Sequence, residues 1–202
     1  MKIAFLPIDN RPVCYTLPEI IAGIDDDIKF FIPPRELLGD LTKSADVESL
    51  LNWLENCPAQ DAIILSLDTL VYGGLIPSRR CDGDLEDFLP RLERIKNILI
   101  NKKAKIYATS SIMRISNNNI NQEEKEYWAQ YGEKIFKYSY EMSKNGSAQT
   151  DVPQDVLKDY LDTRRRNFEI NKTFLKWQKD GIFDTLVFSK DDCAQYGFNV
   201  DE

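Results

Sequence analysis

The sequence predicts an α/β protein made of parallel βαβ units, and three observations predict it. Short apolar runs alternate with longer stretches of helical period. One of those runs, residues 62–67 (AIILSL), is apolar almost throughout, as a strand buried on both faces is. The runs end in proline, glycine or charged residues, which stop strands. Five such runs separated by helices fit part of a (β/α) barrel-like fold, with an open doubly wound sheet as the alternative.

Residues 3–8 form the first predicted strand, ending at Asp9, and residues 18–24 a short helix. Residues 28–32 form a second strand, stopped by Pro33-Pro34. Val47, Leu50, Leu51 and Leu54 have helical spacing, with Ser44 as the cap. The third strand, 62–67, runs into Asp68 and then Gly73-Gly74. That glycine pair reads as a tight turn needing positive φ rather than a phosphate loop, because neither GxGxxG nor GxxxxGK[ST] is present. Leu85, Phe88, Leu92, Ile95 and Leu99 mark a helix over 85–100, whose start Pro90 leaves open. Residues 105–110 form the fourth strand. A helix over 123–142 carries Trp128, Tyr131, Ile135, Tyr138 and Met142 on one core-packing stripe. A polar loop over 144–154 leads into a helix over 155–179, and residues 185–189 form the fifth strand. All 202 residues are expected to make a single domain. The chain stops soon after a strand and its loop, without a closing helix, so it is expected to be the N-terminal part of a longer protein.

Composition narrows the function classes. Asp and Glu outnumber Lys and Arg by 33 to 26, a formal net charge of −7. That balance argues against nucleic acid and against an anionic membrane surface as partners. Residues 3–7 are too short an apolar run for a secretory signal and nothing approaches a membrane span, so a cytoplasmic location is expected. The cysteines, Cys14, Cys57, Cys81 and Cys193, are widely spaced, form no CxxC and read as reduced thiols. The chain contains no histidine. Acid–base chemistry would therefore fall to carboxylates, Lys, Tyr or Cys, and a metal site would be oxygen-rich. No cofactor and no metal is expected from the motifs present.

In parallel α/β folds, ligands bind beyond the carboxyl ends of the strands. The residues following the five predicted strands are Asp9, Asn10 and Arg11; Arg35 and Glu36; Asp68, Tyr72 and Arg79; Ser110, Ser111 and Arg114; and Asp191, Asp192 and Tyr196. Each strand end carries a carboxylate, an arginine or a hydroxyl. Asp191-Asp192 is the sharpest element. Adjacent carboxylates at a strand end point in different directions, and crowding raises the pKa of one, which suits a general acid. The competing reading is a solvated turn. Asp9 and Asp68 could join Asp191 in an oxygen-rich Mg²⁺ or Mn²⁺ site. On the helix over 155–179, Leu157, Leu161, Phe168 and Leu175 form a stripe that also holds Arg164 and Asn171. A charge and an amide there must be paired internally or line a site. Arg165 and Arg166 are expected on a solvated face.

These loop segments resemble a bacterial family, domain-of-unknown-function family 4127. The matching segments are residues 7–12 (PIDNRP), 33–39 (PPRELLG), Ser66-Leu67-Asp68 with Tyr72-Gly73-Gly74-Leu75, Met113-Arg114, residues 124–128 with Tyr131-Gly132, residues 164–167, and Asp191-Asp192 with Tyr196-Gly197. They run in order along essentially the whole chain. Members of that family are longer, which agrees with the expectation of a longer protein. The family name implies no activity. Separately, Asp191-Asp192 is similar to the carboxylate pair of barrel glycosidases acting on N-acetylhexosamine linkages, although there the pair usually follows the fourth strand rather than a fifth. That resemblance implies an orienting role for Asp191 and a general acid/base role for Asp192.

Together these readings point to a carbohydrate-active hydrolase with a small-molecule or carbohydrate substrate. Asp191 and Asp192 would be catalytic. Asp9, Asn10, Arg11, Arg35, Glu36, Asp68, Tyr72, Arg79, Arg114, Arg164, Asn171 and Tyr196 would bind substrate. A Mg/Mn-dependent hydrolase and a non-catalytic sugar- or metabolite-binding domain are the alternatives.

Overall fold

The computed structural model describes residues 1–41, 43–191 and 193–202. It contains five strands: β1 Lys2–Leu6, β2 Lys29–Phe31, β3 Ala62–Ser66, β4 Lys105–Ile112 and β5 Thr185–Lys190. All neighbours are parallel, in the order β2-β1-β3-β4-β5. The α/β class and the alternation of strand and helix are as expected. Of the two arrangements expected, this order is the one a doubly wound sheet has; in a (β/α) barrel each strand neighbours the next throughout. The direction of strand addition reverses at β1, so the crevice between the β1 and β3 ends is the switch point where such sheets bind ligands.

The helices are α1 Thr16–Ala22, α2 Val47–Asn56, α3 Leu67–Tyr72, α4 Pro77–Arg80, α5 Leu85–Ile100, α6 Trp128–Asn145, α7 Gln154–Lys179 and α8 Phe198–Asp201. Among the described residues none is long and apolar enough to cross a membrane. The core lies on one face of the sheet. Ala4, Leu6, Ile63, Leu65, Ile106 and Ala108 pack against Leu50, Leu51 and Leu54 of α2, Leu92, Ile95 and Leu99 of α5, and Ile170 and Phe174 of α7. A second cluster, around Met113, Ile115, Trp128, Ile135 and Tyr160, forms beyond the end of β4.

Local chemistry explains where the elements depart from expectation. The cap of α2 is Asp46, not Ser44: its carboxylate accepts from Ser49 N at 3.1 Å and from the Ser49 hydroxyl at 2.8 Å. Helix α5 begins at a capping box between Asp84 and Asp87, and Pro90 stays inside it, on an exposed flank where its missing donor leaves a first-turn carbonyl to water. What reads as a strand running into a turn at 66–74 contains α3, capped by Ser66, whose hydroxyl accepts from Thr69 N. The Gly73-Gly74 turn has the positive φ expected of it, 88° and 137°. Helix α6 starts at Trp128 rather than at residue 123, and the side chains of Glu123, Glu124 and Lys125 ahead of it are held by distant partners.

The buried side of α7 also differs from the expected stripe. Tyr160, Arg164, Asn167, Ile170, Asn171, Phe174 and Trp177 are buried, whereas Leu175 is exposed. Arg166, expected on a solvated face, is buried; Arg165 is the exposed one. The Arg166 guanidinium donates to the carbonyls of Ser78 at 2.8 Å, Cys81 at 2.9 Å and Gly83 at 3.1 Å. An arginine can be buried there because its fork of donors satisfies carbonyls that the turn after α4 leaves open.

Candidate functional site

Three clusters of polar side chains lie at the carboxyl edge of β1, β3 and β4. In the loop after β1, Asp9 is buried. It accepts from the Arg11 backbone N–H at 3.0 Å and from Arg11 Nε at 2.8 Å, with the guanidinium Nη2 at 2.7 Å. This pairing raises the Arg11 pKa. Burial, and then the nearby Asp9 charge, push the Cys14 thiol up to about 11, so Cys14 is a neutral lining group. The Asn10 carbonyl accepts from Arg35 Nε at 3.0 Å and Nη2 at 2.7 Å, and the Arg35 guanidinium lies over the Tyr15 ring. The β1 and β2 ends are thus tied together by an arginine that remains exposed. Glu36, in the turn Arg35–Leu37, is also exposed.

Thr69, in α3, locks the β1 loop onto the β3 end by donating to the carbonyls of Pro7 and Ile8, both at 2.9 Å. One residue earlier sits Asp68, 2% exposed. Burial raises its pKa to about 7, an effect that hydrogen bonding from Ser111 and the charge of Arg79 only partly offset. Asp68 Oδ2, the Tyr72 hydroxyl and Arg79 Nε are all buried without a hydrogen-bond partner among the described residues. Tyr72 and Asp68 share one side of α3, four residues apart, and burial holds the Tyr72 phenol well above its ordinary pKa.

The third cluster crosses between elements. Arg79 of α4 binds Glu124 at 3.1 Å and Glu123 at 3.4 Å; Arg114, just past β4, binds the same two carboxylates at 3.2 and 2.9 Å. Burial raises the Glu124 pKa against the pull of both arginines. Glu123 also acts on Arg11, so the β1 and β4 ends belong to one electrostatic field. At the β5 end, the Ser189 hydroxyl meets that of Ser111 at 3.0 Å, linking β5 to the serine beside Asp68. Asp191 is exposed, and its carbonyl accepts from Asn199 Nδ2 at 3.4 Å. Asp192 lies outside the described residues. A cleft of about 280 Å³, lined by Ser116, Asn117, Asn118 and Cys193 among others, opens beside these ends. Larger hollows, of about 440 and 380 Å³, lie on the flank of α5 and beside Asp82 and Asp159, away from the strand ends.

The edge therefore gathers Asp9, Asn10, Arg11 and Arg35, and beside them Asp68, Tyr72, Arg79 and Arg114. Three sequence-derived candidates stand apart. Arg164 uses its donors on the carbonyls of Met113 and Arg114, the Tyr160 hydroxyl and Glu202. Asn171 accepts from the Ser110 hydroxyl at 3.0 Å and donates to the Ser111 carbonyl at 3.2 Å. These two side chains pin the end of β4. Tyr196 packs edge-on against Tyr140 of α6, under Lys144. Sequence reasoning did not include Glu123, Glu124, Cys14 or Ser189 as site residues. Among the described residues no three His, Cys, Asp or Glu side chains converge as a metal site would require, so Asp9, Asp68 and Asp191 do not form one.

The family described as protein of unknown function (DUF4127) has a model that matches residues 3–202. The chain belongs to that family. The segments through which the sequence resembles it carry much of this edge: Asp9 to Arg11, Arg35, Asp68 with Tyr72, and Arg114. No curated protein and no solved structure matches this DUF4127 chain. A protonated carboxyl, carboxylates and guanidinium groups side by side can donate a proton near neutral pH and hold a polar molecule by charge-assisted hydrogen bonds.

Proposed function

We propose that the carboxyl edge of the sheet is the substrate face of a carbohydrate-active hydrolase working by carboxylate acid–base catalysis. The observation that carries this reading is Asp68. It is a carboxyl group at the switch-point edge, kept protonated up to about pH 7 by burial, with Oδ2 unpartnered among the described residues. A glycosidase needs one carboxyl that holds its proton near neutral pH and a second that is ionised. Asp68 has the character of the first. Asp191 and Asp192 at the β5 end are the other candidate carboxyl groups, their orienting and acid/base roles resting on the sequence resemblance alone. Arg11, Arg35, Asp9 and Arg114 offer the alternating donors and acceptors that sugar hydroxyls take.

The test is hydrolysis of a panel of aryl glycosides, N-acetylhexosaminides included, by the unaltered chain and by Asp68→Asn and Asp191→Asn. The expected result is turnover that falls by roughly 10²–10⁴-fold in Asp68→Asn, with the circular dichroism spectrum retained. Turnover that is the same in both variants as in the unaltered chain overturns the assignment. A non-catalytic sugar- or metabolite-binding domain is the second reading. It is favoured by the burial of Asp68 and by the internal pairing of Arg79 with Glu123 and Glu124. Calorimetric binding of a sugar without any turnover would select it.

A further inference from the structure

Helix α3 is only six residues long, yet it seats two ionisable side chains almost out of reach of water. Asp68 and Tyr72 are four positions apart, so they leave the helix on one side, and they are 2% and 6% exposed. Each carries a buried polar atom without a hydrogen-bond partner among the described residues: Oδ2 of Asp68 and the hydroxyl of Tyr72. Arg79 Nε is a third. Unpaired polar atoms are costly to bury, and native folds keep few of them. The three groups also act on one another. After burial, the Asp68 charge is the largest influence on the Tyr72 phenol, and Arg79 is a cation that acts on Asp68.

The two donors are held in place from behind. The Tyr72 ring stands edge-on to Phe88 at 5.5 Å, and the Arg166 guanidinium lies over it at 5.6 Å. Arg166 is itself fixed by the carbonyls of Ser78, Cys81 and Gly83. Arg79 is anchored through Nη1 by Glu123 and Glu124. What stays free is the hydrogen of the phenol, which rotates to suit its acceptor, and the Asp68 carboxyl, whose χ2 torsion is soft. A neutral carboxyl makes a poor acceptor, whereas a carboxylate accepts on both oxygens. The donors are therefore without a partner only while Asp68 keeps its proton.

We propose that Tyr72 is a positioning residue for Asp68: when Asp68 gives up its proton, the Tyr72 hydroxyl, with Arg79 Nε beside it, donates to the carboxylate left behind. The bond that breaks is the Asp68 O–H. Its electron pair stays on the carboxylate and the proton goes to the leaving oxygen of the substrate. Tyr72 keeps its own proton throughout. The inference rests on the reading of Asp68 as the proton donor.

The groups facing this pair come from several elements. Ser111 of β4, Arg79 of α4, Cys81 after it and Arg166 of α7 act on Asp68 or Tyr72. Helix α5 brings Phe88 and Arg91, which donates to the Val71 carbonyl, and α2 brings apolar side chains. Burial raises the Cys81 thiol, which stays neutral. Glu124, bound to Arg79, is also raised by burial, so its titration has to be separated from that of Asp68.

Melting temperatures of the unaltered chain and of Tyr72→Phe, taken from pH 5 to 9, test the proposal, with the same pair compared in an Asp68→Asn background. At pH 5 Asp68 is protonated and the change removes only an unpartnered hydroxyl, so Tyr72→Phe is expected to melt no lower than the unaltered chain. Above pH 7 it is expected to fall behind, because Asp68 then ionises about one to two pH units later. In the Asp68→Asn background the difference between Tyr and Phe is expected to be the same at every pH. An offset that is constant from pH 5 to 9 with Asp68 present overturns the proposal, since the hydroxyl then has a structural role alone. So does a pH-dependent offset that survives Asp68→Asn, since the partner is then another group. Stability is read here rather than turnover, so a failure of the hydrolase reading is seen separately.

Discussion

Arg79 Nη1 lies 3.1 Å from Glu124 Oε1, and both side chains are almost completely buried, at 3% and 4% exposure. The pair joins α4 to the connection between β4 and α6, two segments with no backbone ladder between them. It is therefore a strut of the carboxyl edge as well as part of its charge. An ion pair buried this deeply costs desolvation on both partners, so removing Arg79 leaves the buried Glu124 carboxylate with Arg114 as its remaining ion-pair partner among the described residues.

Arg79→Met should accordingly destabilise the fold by about 3–5 kcal/mol in urea unfolding. Adding Glu124→Gln to that variant should return part of the loss, because a buried carboxylate then held by Arg114 alone is gone, although Glu123 remains near the vacated position. A double variant as unstable as the sum of the single ones would show that Arg79 acts through packing rather than through the pair.

How far the sequence foretold this edge can be judged residue by residue. Asp9 and Asp68 were legible because each follows an apolar run, and a residue after a strand is near the site whatever the helices do. The depth of Asp68 was not. It depends on α3, a six-residue helix hidden in a stretch that reads as strand and turn, and on Ser111 from another strand. Glu124 was missed because the residues from 123 onward have good helical propensity, and its partner Arg79 lies 45 residues upstream. Arg166 was misread for the same kind of reason: its acceptors at residues 78–83 are more than 80 positions away. Apolar periodicity is a local signal, whereas the burial of a charge depends on which distant groups arrive to satisfy it.

Gly132 gives a local test of that close packing. It lies in α6, where alanine is intrinsically better than glycine by about 1 kcal/mol. A Cβ there would stand 2.4 Å from the Asn118 carbonyl and 2.5 Å from Trp128 Nε1. Trp128 is buried and the carbonyl belongs to the backbone, so neither can step aside cheaply. Gly132→Ala is expected to lower the melting temperature despite its helix propensity, with a net loss of about 1–3 kcal/mol. A rise in melting temperature would show that the 113–127 connection is free to move off α6.

The Asp68 carboxyl makes stability depend on pH in a definite direction. In the unfolded chain it titrates near the ordinary aspartate value of about 3.9; in the fold it holds its proton up to about 7. Below pH 4 both states are protonated and the contribution of this group is fully present. Between pH 4 and 7 the folded state binds the extra proton, so stability falls as pH rises, and the loss is complete just above 7. The total is on the order of a few kcal/mol. Asp68→Asn keeps the shape, carries no charge at any pH and removes that slope. Melting temperatures taken from pH 4 to 8 should therefore converge at the acid end, where the aspartic acid and the asparagine that replaces it are both neutral. They should separate toward pH 8, with the variant the more stable. Parallel curves across that range would mean that Asp68 ionises at its ordinary pKa inside the fold, and the proposed proton donor would lose its basis.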